Sequence, residues 1–152
     1  MSERSVEHGT FVVERVYSAS PERVFAAWSD PDAKARWFDG PDTEVVEADF
    51  REGGREHRRG PLPDGREYTF HASYWHIVPG RRIVYTYAMH LNGVRISVSV
   101  ATVELVPEHD GTRLVFTEQA AFLDGHEMPD RREHGWGSLL DSLGEWLGSS
   151  RG

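Results

Sequence analysis

The side chain whose setting points most directly to chemistry is the carboxylate of Glu118. It lies in the run Leu114-Val-Phe-Thr-Glu-Gln-Ala120. If Leu114, Phe116 and Ala120 face inward by strand alternation, Glu118 joins them among aromatic side chains. Burial disfavours the charged form and raises the pKa, which is how a site keeps an acid or base ready. Two purely structural arrangements compete: a salt bridge to an arginine at the start of the last helix, such as Arg132, or a phase slip that leaves Glu118 wet. Tyr68, Tyr74, Tyr85 and Tyr87 fall on strand positions that can share one face. Their apolar bodies and hydroxyl tips suit a pocket for an aromatic or polyketide-like ligand, and equally suit plain core.

Eight histidines invite a metal reading that the spacings do not support. His126-Glu127 begins like a zinc-protease helix, but the second histidine is replaced by Asp130 and Pro129 breaks the spacing. His126, Asp130 and His134 are the remaining set that could converge, and the expectation is no metal and no cofactor. Gly135-Trp-Gly137 sits inside a helical stretch rather than after a strand, so it is no dinucleotide fingerprint. Neither a nucleophile elbow nor a phosphate-binding loop is present.

Zero cysteines exclude disulfides, thiolate catalysis and cysteine-ligated metal. A net charge of −8 argues against nucleic acid or an anionic membrane as the main partner. The basic cluster Arg51, Arg55, Arg58, Arg59 and Arg66 is interrupted by Glu52, Glu56 and Asp64, and reads as a solvated hairpin. No run approaches the roughly 18 apolar residues of a membrane span, and residues 1–8 lack a signal-peptide core, so a cytoplasmic location is expected. At 152 residues without linker or repeat, a single domain over 1–152 is expected.

These residues must be positioned by a recognisable set of elements. Thr10–Ser18 reads as a first strand. Ser20-Pro21 caps a short helix carrying Val24, Phe25 and Trp28, and Asp30-Pro31 caps a second that ends in Trp37-Phe38. From residue 43 to about 121 the period is 2, beginning with a strand over Thr43–Arg51 (Val45, Val46, Ala48, Phe50), with turns at Gly53-Gly54, Pro79-Gly80, Asn92-Gly93 and 108–111. Residues 122–127 read as a loop. In the final stretch Trp136, Leu139, Leu140, Leu143 and Leu147 form an apolar stripe at helical spacing, with Gly148 at the exit. Gly135, Gly137 and Gly144 inside that helix each cost about 1 kcal/mol against alanine. They point to close backbone approach to a sheet, or to room for something between helix and sheet. A meander with one apolar face needs a lid, and the last helix is the largest available. The expected class is α+β: a curved antiparallel sheet of six to seven strands wrapped around a long C-terminal helix.

The chain resembles the SRPBCC (START-like, birch-allergen-like) helix-grip superfamily, and within it the bacterial stand-alone branch akin to the C-terminal domain of the heat-shock protein 90 ATPase activator. The resemblance is carried by residues 20–28, by the corner 30–38, by Gly65-Arg-Glu-Tyr-Thr-Phe70 and by residues 74–86. Residues 111–114, 116–125 and 135–143 complete it, in the expected order over nearly the whole chain. It implies a cavity between sheet and long helix that accepts a small, mostly apolar molecule. The eukaryotic activator has a further N-terminal domain that helps engage its chaperone. No room for one is expected here, which weighs against a co-chaperone role.

The leading expectation is a binding protein for a small hydrophobic or aromatic ligand, with no catalytic apparatus legible. Its cavity would be lined by Trp37, Phe38, Phe70, Tyr74, Tyr85 and Tyr87, and by Phe116, Glu118, Trp136 and Leu140. One alternative is a polyketide cyclase/dehydratase-like or hydrolase-like enzyme with Glu118 as general acid/base. Another is an interaction module that regulates a chaperone or forms a homodimer through exposed apolar surface.

Overall fold

A computed structural model describes residues 4–149. The chain runs β1 (Val6–Tyr17), α1 (Pro21–Ser29), α2 (Pro31–Phe38), β2 (Glu44–Ala48), β3 (Arg55–Pro61), β4 (Glu67–Val78), β5 (Arg82–Leu91), β6 (Val94–Glu108), β7 (Gly111–Leu123) and α3 (Pro129–Ser149). The strands form one antiparallel sheet in the order β1-β7-β6-β5-β4-β3-β2. This is the expected α+β helix-grip arrangement, with seven strands.

Local chemistry sets the corner. The Ser20 hydroxyl accepts from Arg23 N at 3.2 Å, and Pro21 occupies the first turn, where no N–H is needed. Asp30 serves both short helices: its N–H closes α1 on Ala26 O, and its carboxylate caps α2 at Asp32 N. Asn92 (φ 48°) and Gly93 (φ 80°) supply the left-handed pair that a tight β5–β6 hairpin requires.

Four boundaries differ from those read in the sequence. β1 starts at Val6 and β7 reaches Leu123, because the two pair without a break from Val6↔Leu123 to Tyr17↔Thr112. That ladder carries the weak strand formers His8 and Gly9. β2 is only five residues long, with a bulge between Val45 and Glu47, so Phe50 lies outside it. α3 continues past Gly148 to Ser149, where Arg23 donates to Leu147 O at 3.0 Å and supplies the cation that the last turn lacks.

The helix buries Arg132, Trp136, Leu140, Leu143 and Leu147, and its backbone lies nearest β1 and α2. Two of its four glycines are explained by close approach. A Cβ on Gly137 would stand 3.2 Å from Arg15 Nη2, and one on Gly144 would stand 3.1 Å from the Tyr17 ring. Tyr17 in turn donates to Leu140 O at 2.7 Å, so strand and helix backbone are drawn together there. Gly135 and Gly148 face open space.

Candidate functional site

Alternation in β7 turns Leu114, Phe116, Glu118 and Ala120 inward, and the Glu118 side chain has no exposed surface. Its carboxylate is fully engaged. The Tyr87 hydroxyl donates to Oε1 at 2.7 Å, the Ser99 hydroxyl to Oε2 at 2.8 Å, and Arg132 Nη1 to Oε2 at 3.2 Å. Arg132 also donates to the Tyr87 hydroxyl (3.0 Å), to Ser97 Oγ (2.7 Å) and to Glu127. Trp136 Nε1 donates to the same Tyr87 oxygen at 3.1 Å. The Arg132 partner weighed in the sequence is therefore the one present.

Burial pushes the Glu118 carboxyl above the usual carboxylate range, against the pull of Arg132, Tyr87 and Ser99. Burial also raises the Tyr87 phenol, and the neighbouring Glu118 adds to it. For Arg132 burial works against the charge, but Tyr87, Glu127 and Glu118 outweigh it and hold the guanidinium protonated.

Around this polar centre the structure brings the expected aromatic residues into one cluster. Phe116 stacks on Trp136 with ring centroids 4.1 Å apart. Trp37 meets Phe38, Phe38 meets Phe70, and Phe70 meets Tyr87, at 5.6, 5.2 and 4.9 Å. Tyr85 links Tyr87 and Tyr74, and Leu140 completes the helix side. Of the ten, Phe38 alone is not fully buried. Tyr68 stays at the rim, bonded to Thr43.

A second buried polar cluster went unread in the sequence. Lys34, the chain's single lysine, projects from α2 and is 2% exposed. Its Nζ donates to Glu56 Oε1 at 3.0 Å and to the Tyr74 hydroxyl at 3.2 Å, and lies 4.6 Å from the Phe38 ring centroid. Tyr74 donates to the same Glu56 oxygen. Arg58 Nε donates to Glu56 Oε2 at 3.0 Å and lies 3.3 Å from Asp39 Oδ1. Burial pulls the Lys34 amine down, with Glu56 opposing. Burial would raise Glu56, but Lys34 and Arg58 prevail and hold it low. Arg58 and Glu56 thus do not belong to a solvated hairpin, whereas Arg51, Arg55, Arg59 and Arg66 are exposed. The alternation of Glu56, Arg58 and Gly60 along β3 was the one available signal, masked by the density of charge around it.

Three buried donors in this region lack partners: the Tyr85 hydroxyl, Trp28 Nε1 and Arg58 Nη1. Trp28 and Arg58 also line a hollow of about 10 Å³ beside Lys34 and Glu56. A larger open groove of about 600 Å³ runs between β1 and α3, past Arg15, Glu133, His134 and Asp141; none of the ten expected residues lines it. Among the described residues no three His, Cys, Asp or Glu side chains are placed to hold a metal ion, so His126, Asp130 and His134 do not converge. No described helix is long and apolar enough to cross a membrane.

A curved antiparallel sheet gripping one long helix defines the helix-grip class of the SRPBCC superfamily. The sequence profile described as "Activator of Hsp90 ATPase homolog 1-like protein" matches residues 18–148, and the chain belongs to that family. It is similar to the solved Mll3558 protein of Rhizobium loti (44% identity, 94% of this chain and 99% of that one, TM-score 0.88). It is also similar to a putative uncharacterized protein of Rhizobium leguminosarum (41%, 98% and 100%, 0.90). Protein CV1439 of Chromobacterium violaceum is a more distant likeness (28%, 93% and 98%, 0.79). No curated protein matches the chain. The fold is consistent with a ligand-binding domain.

Proposed function

We propose that this protein binds a small apolar or aromatic molecule between the sheet and α3. Trp37, Phe38, Phe70, Tyr74, Tyr85, Tyr87, Phe116, Trp136 and Leu140 form the walls, and Glu118, held by Arg132, is the polar anchor. The observation that carries this reading is the Tyr85 hydroxyl, 1% exposed and without a hydrogen-bond partner. Leaving a buried hydroxyl unpaired costs about 1–3 kcal/mol, which a ligand oxygen or nitrogen would recover. The ring contacts above show side chains occupying this interior, so a ligand enters by displacing them. Phe38, at the rim, is the residue to move.

A thermal-shift screen with aromatic probes such as 2-naphthol and indole tests the reading on the wild type and on Phe38→Ala. A probe at a hundredfold excess over its Kd should contribute about 2.7 kcal/mol of stability. Phe38→Ala should bind it more tightly, with a change in tryptophan fluorescence from Trp136. If no probe shifts either protein, the proposal fails.

The raised Glu118 carboxyl supports a second reading, a polyketide cyclase/dehydratase-like or hydrolase-like enzyme with Glu118 as general acid/base. Its oxygens are already taken by Tyr87, Ser99 and Arg132, which favours the anchoring role. Under the enzymatic reading Glu118→Gln abolishes turnover and leaves binding intact. A homodimer, compatible with the exposed valines, completes the proposal.

A further inference from the structure

The two edges of the sheet are built differently. β2 closes one side with five residues and a bulge, the usual way of blunting an edge. β1 closes the other with twelve residues, no proline, no lysine and no register shift against β7. Val6, Val12 and Val16 on its outer face are 56%, 50% and 68% exposed. A long regular edge carrying apolar side chains is a template for another strand. The groove of about 600 Å³ between β1 and α3 leaves room beside it.

We infer that β1 pairs antiparallel with β1 of a second copy around a two-fold axis at Phe11, joining two sheets into one of fourteen strands. The register follows from complementarity. With Phe11 opposite Phe11, Val6 meets Val16, Glu7 meets Arg15, His8 meets Glu14, Gly9 meets Val13 and Thr10 meets Val12, each twice by symmetry. Exposed Val6 and Val16 then cover each other, Val12 lies against the β-branched Thr10, and both charged contacts have opposite or compatible sign. Moving the axis by one residue to Val12 keeps Val12 against Val12 but sets Glu7 against Tyr17, His8 against Val16 and Gly9 against Arg15; moving it to Thr10 sets Val6 against Glu14 and Glu7 against Val13. Both lose the Glu7–Arg15 and His8–Glu14 contacts and the Val6–Val16 pair. Arg15 can take part, since of its five N–H groups only three are committed, to Asp141, Glu14 O and Gly137 O. Pro129 packs over Gly9, two residues from Glu7, so Arg15 of the second copy also approaches the acidic start of α3 at Asp130. This interface is independent of the interior ligand.

Sedimentation equilibrium and light scattering of the wild type should give a dimer. Glu7→Arg sets arginine against Arg15, and His8→Glu sets carboxylate against Glu14. Each should weaken association at least tenfold while the far-ultraviolet spectrum stays that of the wild type. The absence of cysteine permits a direct test of register. Val6→Cys combined with Val16→Cys places the thiols at opposite ends of one strand, so an oxidised product can only be intermolecular. It should form a covalent dimer, and the pair Val6→Cys with Val12→Cys should not. A wild type that is monomeric at high micromolar concentration overturns the inference. So does a dimer indifferent to Glu7→Arg and His8→Glu, or cross-linking in the second cysteine pair alone.

Discussion

Arg132 Nη1 stands 3.2 Å from Glu118 Oε2 and 3.0 Å from the Tyr87 hydroxyl, so one guanidinium ties the start of α3 to β7 and β5 at once. Removing one member of such a buried pair leaves an uncompensated charge. Arg132→Met should therefore destabilise the fold by about 3–5 kcal/mol in urea unfolding. Arg132→Met combined with Glu118→Leu should recover most of that loss, because the orphaned carboxylate is gone. An Arg132→Met protein as stable as the wild type would mean that the contact does not persist in solution.

The Lys34 cluster should respond asymmetrically. Glu56 accepts from Lys34, Tyr74 and Arg58, so Glu56→Gln sets two buried cations side by side and should cost about 3–5 kcal/mol. Lys34→Met leaves Glu56 paired with Arg58 and Tyr74 and puts an apolar chain among aromatic rings, so it should cost less than half as much. Denaturant titrations of the two variants decide the order, and the reverse order would contradict the account.

These two clusters also show what could be read in advance. Glu118 was legible because its neighbours on β7 alternate cleanly. Arg132 was legible as its partner because it lies one helical turn before Trp136 on the stripe of α3. The Lys34–Glu56 contact joins residues 22 apart across a helix and a strand, and β3 is so rich in arginine and glutamate that its inward positions look like its outward ones. Hydrophobic periodicity reports which face is buried only where that face is apolar. The full length of β1 was hidden for a related reason: His8 and Gly9 are held in the strand by Ala121 and Ala120 of β7, not by their own propensity.

On the outer face His57 and His71 stack with centroids 4.1 Å apart, and His90 meets His71 edge-on at 5.3 Å. Partial burial, then His57, His90 and Arg95, hold the His71 imidazole below its ordinary value of 6.5. A base with a depressed folded pKa is protonated first in the unfolded chain. Stability should therefore fall as pH drops below 6.5 and level off once pH passes the folded value. Proton NMR titration should show His71 moving back toward 6.5 in His57→Gln. A His71 that titrates at or above 6.5 in the wild type would refute this.

Three glycines of α3, at 135, 137 and 144, should separate by what stands opposite each. Alanine is favoured over glycine by about 1 kcal/mol in a helix interior, so Gly135→Ala, with open space around its Cβ, should gain nearly that amount. At Gly137 the new methyl meets the tip of Arg15 at 3.2 Å, a flexible end that can give, so part of the gain should survive. At Gly144 it meets the Tyr17 ring at 3.1 Å. That ring is buried and fixed by its bond to Leu140 O, so the helix must move away from β1 instead. Gly144→Ala should therefore be the one substitution of the three that lowers the thermal midpoint. Calorimetry on the three variants should return the order Gly135→Ala, Gly137→Ala, Gly144→Ala from most to least stable, and a stabilised Gly144→Ala would show that α3 is not pressed against Tyr17.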